Sequence, residues 1–87
     1  MDKIEEEILL FLKGGMVKEK YIIAHFVTKG VPKERIKEAL EDLYFYGFIL
    51  KRSIKRNVNV YLLTEKGRME VESLEESVRK NKIKRTL

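Results

Sequence analysis

The sequence has no cysteine, tryptophan or glutamine, and it has one histidine and one proline among its 87 residues. The absence of cysteine excludes disulfides and thiolate metal sites. His25 has no second histidine near it, so we expect a surface side chain and no metal site. With one histidine, no cysteine and no glycine-rich phosphate loop, the sequence predicts no catalytic residues, no cofactor and no enzymatic activity.

Long apolar runs are also absent. The longest, ILLFL at residues 8–12, is far shorter than the roughly 20 residues that cross a membrane. The start, MDKIEEE, lacks the basic and apolar stretches of a signal peptide, so we predict a cytoplasmic protein without membrane contact. Few labile side chains beside abundant Lys, Glu, Arg and Ile are typical of thermophiles, and we expect a thermophilic archaeal source.

Negative charge is scarce in one half of the chain. Residues 1–47 carry eight Lys or Arg and nine Asp or Glu, a net charge of −1, whereas residues 48–87 carry eleven and five, a net charge of +6. The whole excess of +5 therefore comes from the second half. Such segregation favours a polyanionic partner over a merely solvated surface.

Apolar residues at helical spacing predict three helices, over about residues 2–13, 18–29 and 32–46. Gly14-Gly15 ends the first, and Pro32 suits the first position of the third. The residues expected to face the core are Met1, Ile4, Ile8, Phe11, Leu12, Ile22, Ile23, Phe26, Val27, Ile36, Ala39, Leu40 and Leu43.

Two β-rich segments follow. FILKRSI and NVNVYLLT lie on either side of Lys55 and Arg56, which predicts a two-stranded hairpin with Asn57 in a left-handed conformation at its tip. Thr64 is expected to cap a last helix that runs to about Lys80. Residues 81–87 are predicted to form a basic tail.

The order helix, helix, helix, hairpin, helix predicts one α+β, mainly α domain over residues 1–80. A hairpin is unstable alone and must pack on the helices, which gives a winged helix-turn-helix with a three-helix core, a two-stranded β wing and a C-terminal helix from about residue 64. ALEDLYFYGFI (39–49) resembles the end of the recognition helix and the first wing strand of winged-helix regulators. YLLTEKGR (61–68) resembles the second wing strand and next helix of MarR-like and PadR-like regulators.

This resemblance implies a regulator of transcription that binds double-stranded DNA, with the third helix at the major groove. At about 100° per residue, however, the face of that helix furthest from the core is acidic. Lys33 and Lys37 lie on one flank, while the outward residues are Glu34, Glu38, Glu41 and Phe45. Phosphates repel glutamates, so two hypotheses stay open. Either Lys33 and Lys37 lead the helix into the groove, or the acidic face binds a protein and the chain is an adaptor.

The wing carries the other predicted DNA contacts. They are Lys51, Arg52, Lys55, Arg56 and Asn57. Neutralising phosphates with these bases would make binding dependent on salt. The alternatives are a solvated turn whose lysines discourage strand aggregation, and binding of structured RNA through the same surface.

A narrow apolar seam marks the last helix, where Gly67, Val71, Leu74 and Val78 repeat at four, three and four residues. This is the spacing of helix-to-helix packing, and the resembled families commonly dimerise through such helices. The seam packs either on the core of its own chain or on a second subunit, and we predict the second arrangement, a homodimer. The expected interface residues are Leu10, Met69, Val71, Leu74 and Val78.

Overall fold

The computed structural model describes the backbone of residues 1–86 and the side chains of residues 1–79. Within that range, no helix is long and apolar enough to cross a membrane. The elements are α1 (Lys3–Phe11), a 3-10 turn (Leu12–Gly14), β1 (Val17–Lys18), α2 (Glu19–Thr28), α3 (Lys33–Phe45), β2 (Ile49–Lys55), β3 (Val58–Leu63) and α4 (Glu65–Thr86).

Helix α1 begins at a reciprocal cap. The Asp2 carboxylate accepts from the Glu5 backbone N–H at 2.9 Å, and the Glu5 side chain accepts from the Asp2 N–H at 3.0 Å. Because α1 packs against both α3 and α4, its buried face is wider than the sequence pattern indicated. Leu9, which was not expected in the core, is fully buried, whereas Met1, which was, is 51% exposed.

Helices α2 and α3 form the helix-turn-helix. Ile22 and Phe26 bury the inner face of α2, but Val27 is 47% exposed, contrary to expectation. Pro32 is the N-cap of α3 and not its first helical residue. The expected core positions of α3 are confirmed, since all four are buried: Ile36, Ala39, Leu40 and Leu43.

The sheet has three antiparallel strands in the order β1–β3–β2. The predicted hairpin is confirmed, with Asn57 at a φ of 62° in its tip. The sheet is larger than the predicted two-stranded wing, because Val17 and Lys18 pair with Tyr61 and Val60 and add a third strand. A strand of two residues is too short to show alternation, which explains why sequence patterning missed it.

One compact joint links α3, the wing and α4. The Phe48 carbonyl accepts from the Thr64 N–H at 3.1 Å, and the Thr64 hydroxyl donates to the Gly47 carbonyl at 2.6 Å. Thr64 also caps α4 as predicted, since its Oγ1 accepts from the Gly67 N–H at 3.0 Å. Lys66 Nζ donates to the Tyr46 carbonyl at 2.7 Å and so neutralises part of the negative C-terminal end of α3.

Helix α4 is 22 residues long and continues past its predicted end near Lys80 to Thr86. The predicted tail, residues 81–87, thus continues the helix up to Thr86, while its side chains and Leu87 lie outside the described residues. Val71, predicted at a subunit contact, is only 3% exposed and belongs to the core of its own chain. It is therefore not available to a second subunit.

Candidate nucleic-acid interface

A groove of about 330 Å³ lies between the start of α2, the first turns of α3 and the tip of the wing. It combines lysines from all three elements with a single carboxylate. Its lining residues are Lys18, Glu19, Lys20, Ile23, Lys33, Lys37, Lys55, Asn57, Val58 and Asn59. Five cations around one shallow surface create the positive potential that attracts a polyanion.

The two sides of α3 differ in charge. Lys33 and Lys37 are exposed and line the groove beside the wing. Arg35 lies on the side of α1, where it pairs with Asp2 and, at 3.5 Å, with Glu38. The acidic stripe identified from the sequence is thus exposed, but the helix presents lysines to the wing. The two predicted surfaces of α3 adjoin each other at Glu41, which belongs to the acidic stripe and whose charge acts on Tyr61 beside the groove.

The predicted wing residues separate into different surfaces. Lys55 and Asn57 line the groove, whereas Lys51, Arg52 and Arg56 do not. Residues directly opposite each other on neighbouring strands share one face of the sheet. Lys51 is opposite Tyr61 and therefore lies on the face towards the helices, while Arg52, opposite Val60, lies on the other face of the sheet.

Glu19 is fixed at the edge of the groove by Tyr61, whose hydroxyl donates to Oε1 at 3.1 Å. Burial raises the pKa of the Tyr61 hydroxyl well above its ordinary value, and the negative charges of Glu19 and Glu41 raise it further. Tyr61 therefore stays neutral and keeps its proton in this hydrogen bond. The contact connects α2 to β3 and positions the two walls of the groove.

Sequence reasoning missed four polar residues of the groove, namely Lys18, Glu19, Lys20 and Asn59. Lys18 and Lys20 are brought beside the wing because β1 pairs with β3. Asn59 is half-buried on β3, on the same face of the sheet as Tyr61. The alternation of side chains along NVNVYLL is a sequence signal that could have placed Asn59 on the same face as Tyr61. No such signal exists for Lys18 and Lys20, because β1 has only two residues.

No protein-family model matches the sequence, and no curated protein matches it. Solved structures do. The structure of H. salinarum RosR is similar with a TM-score of 0.81 and 24% identity, over 92% of this chain and 76% of that one. A complex structure of hsRosR-S1 has a TM-score of 0.80 and 24% identity, over 92% of this chain and 75% of that one. Bacillus subtilis PadR in complex with operator DNA has a TM-score of 0.73 and 24% identity, over 85% of this chain and 47% of that one.

At this identity the likeness establishes the fold. The three-helix core, wing and C-terminal helix are a winged helix-turn-helix like that of RosR and PadR, as the resemblance in the sequence predicted.

Proposed function

We propose that this protein binds double-stranded DNA through the lysine groove and regulates transcription. The observation that carries the proposal is the convergence of lysines from α2, α3 and the wing on one surface. A similarly folded chain, PadR, is bound to operator DNA in its crystal structure, which supports the same use of the fold here. The proposal assigns no catalytic role.

Phosphate contacts are expected to supply most of the affinity. If each of the five groove lysines neutralised one phosphate, the logarithm of affinity would fall with the logarithm of salt with a slope of about −4 to −5 per protomer. Base recognition would come chiefly from Asn57, whose amide suits a base edge, while Lys33 and Lys37 would hold the first turns of α3 at the major groove through phosphates. Arg52 and Arg56 would act as peripheral phosphate contacts. We therefore expect strong salt dependence and modest sequence selectivity.

The test is a fluorescence-anisotropy titration of a labelled duplex across a range of salt concentrations. Lys33→Glu with Lys37→Glu should weaken binding more than about tenfold and reduce the salt slope by about two. Lys3→Glu with Lys29→Glu makes the same change of charge outside the groove and is the matched control. Equal affinities and equal salt slopes for the two double variants would refute the proposal that the groove binds DNA.

Two further measurements refine the proposal. Lys55→Glu with Arg56→Glu tests the wing alone, which contributes little if affinity and salt slope stay unchanged. Competition between duplex DNA and structured RNA decides which nucleic acid is preferred, and selection of duplexes from a random pool reveals the sequence preference and its symmetry.

We also propose a homodimer through α4. This helix is about 33 Å long. Its contacts with its own chain include Val71 in the core and the ion pair of Glu75 with Lys13. Met69 and Val78 are 64% and 65% exposed, Leu74 is half-buried and Leu10 is 39% exposed. A two-fold dimer would place two grooves on half-sites about one DNA turn apart.

Sedimentation tests the dimer. Val78→Lys changes a side chain that is 65% exposed, so it should leave the fold intact and reduce the mass to that of a monomer. Leu74→Lys is a second variant, although its half-buried position makes circular dichroism necessary as a folding control. An unaltered mass for both variants would contradict this interface.

A further inference from the structure

Three consecutive aromatic residues are exposed at the C-terminal end of α3. Tyr44, Phe45 and Tyr46 have 52%, 79% and 60% of their surface accessible, and the last two rings meet edge to face at 5.1 Å. Aromatic side chains are enriched at the energetic centres of protein interfaces, because each buries a large area with few rotatable bonds. Nothing in the proposed DNA groove uses them, since none of the three lines it.

A cleft of about 350 Å³ lies between the start of α1 and the end of α3, and of the three aromatic residues Tyr46 lines it. Met1, Leu43, Tyr46 and Phe48 provide apolar walls. Tyr46 lines the cleft and its ring contacts that of Phe45, so the apolar surface continues from the cleft to the exposed Phe45 ring. A cleft of this size accepts one large side chain of a partner.

Among the described residues, the charged side chains that line the cleft are both acidic, Glu5 and Asp42. They outnumber the one cation of the lining, the amino terminus of Met1. Arg35 is paired with Asp2 and Glu38, and Lys66 donates to the Tyr46 carbonyl and lies over the Phe48 ring at 4.4 Å. Burial raises the pKa of the Glu5 carboxyl, and the charges of Asp42 and Glu38 raise it further against the opposing effect of the amino terminus. An added cation would relieve this repulsion.

From this combination we propose that the cleft and the adjoining Phe45 and Tyr46 rings bind a basic protein segment, one that inserts an apolar side chain flanked by lysine or arginine. The flanking cations would pair with Glu5 and Asp42, and could also stack on the exposed rings. This inference goes beyond DNA binding and does not depend on it.

Both surfaces can be occupied at once. The DNA groove is lined by Lys33 at the first turn of α3, and Phe45 lies about 18 Å further along the helix axis. The protein could thus hold a duplex at one end of α3 and a basic partner at the other.

The test uses random twelve-residue peptides displayed on phage and selected against the immobilised full chain. Enriched peptides are expected to carry net positive charge and an apolar residue between basic ones. Their affinity should fall about tenfold with Phe45→Ala and with Asp42→Asn. Tyr21→Ala, which removes a 54% exposed ring from α2, should leave it unchanged. Circular dichroism of each variant verifies folding.

Several results would overturn the proposal: no enrichment, enriched peptides without positive charge, or equal affinity of the selected peptides for wild type and Phe45→Ala. If Phe45→Ala instead converts an oligomer to a monomer, a second copy of this chain covers the face, and the proposal is wrong. Duplex affinity should be the same for Phe45→Ala and wild type, so failure here is distinguishable from failure of the lysine groove.

Discussion

Gly67 stands where α4 crosses the start of the wing, and replacing it with alanine should destabilise the protein. A Cβ at this position would overlap the Phe48 carbonyl oxygen, inside the 3.0 Å below which real side-chain carbons do not approach. It would also lie 3.1 Å from a Leu63 methyl carbon. The obstacle is mainly backbone, which cannot rotate away as a side chain can.

Two effects oppose each other in this substitution. Alanine in place of glycine favours a helix by up to about 1 kcal/mol. Against this, overpacking costs about 1–3 kcal/mol, and moving the Phe48 carbonyl stretches its hydrogen bond from Thr64, which costs about 1 kcal/mol more. The expected net loss is about 2 kcal/mol, or roughly 10 °C in Tm for a domain of this size.

The assay is urea unfolding followed by circular dichroism at one fixed protein concentration, because dimerisation would make stability depend on concentration. Gly14→Ala is the control, since a Cβ there meets nothing within 4 Å and the backbone is not left-handed. It should change the free energy of unfolding by less than about 0.5 kcal/mol. If Gly67→Ala is as stable as wild type, α4 does not pack on the Phe48 carbonyl as described.

Two further predictions concern side chains that join elements. Thr64→Ala should lower the free energy of unfolding by about 1–2 kcal/mol, measured in the same assay, because it removes both the cap of Gly67 and the bond to Gly47; an unchanged value would contradict the cap. In a spectrophotometric pH titration, Tyr61 should remain protonated well above the ordinary pKa of a tyrosine, about 10, because burial and nearby carboxylates raise its pKa. Since the folded pKa is raised, the stabilisation is fully present below pH 10 and is lost as the pH rises towards the folded value. Tyr61→Phe should abolish the part of the tyrosine absorbance change that appears only at the higher pH. If the wild-type protein lacks that part, the raised pKa of Tyr61 is contradicted.

The helices and the hairpin were predictable because each is encoded locally. Ile36, Ala39, Leu40 and Leu43 repeat at helical spacing and all four are buried, and Asn57 was identified as the left-handed residue from its position in the turn. His25 was expected at the surface, but it is half-buried and stacks on Phe11 at 4.3 Å. That contact joins α1 to α2, and periodicity within one helix does not reveal it.

The candidate site was predictable only in part, for the same reason. Lys33, Lys37, Lys55 and Asn57 were found from charge and helical angle, and they lie around one groove. Lys51 and Arg52 lie on opposite faces of the sheet, and which face each occupies depends on the register of β2 against β3. The positions of Lys18 and Lys20 beside the wing depend on the pairing of β1 with β3, which only the folded chain reveals. Residues that become neighbours through tertiary pairing carry no local signal of it.

That short pairing also bears on how the protein folds. Val17 meets Tyr61 across 44 positions of sequence, whereas the contacts of the helix-turn-helix are local. Closing so long a loop costs chain entropy that local contacts do not, so the helices are expected to form before the three-stranded sheet is complete. On the ribosome, the walls of the groove cannot come together until β3 has emerged, and a nascent chain would hold no binding surface before then.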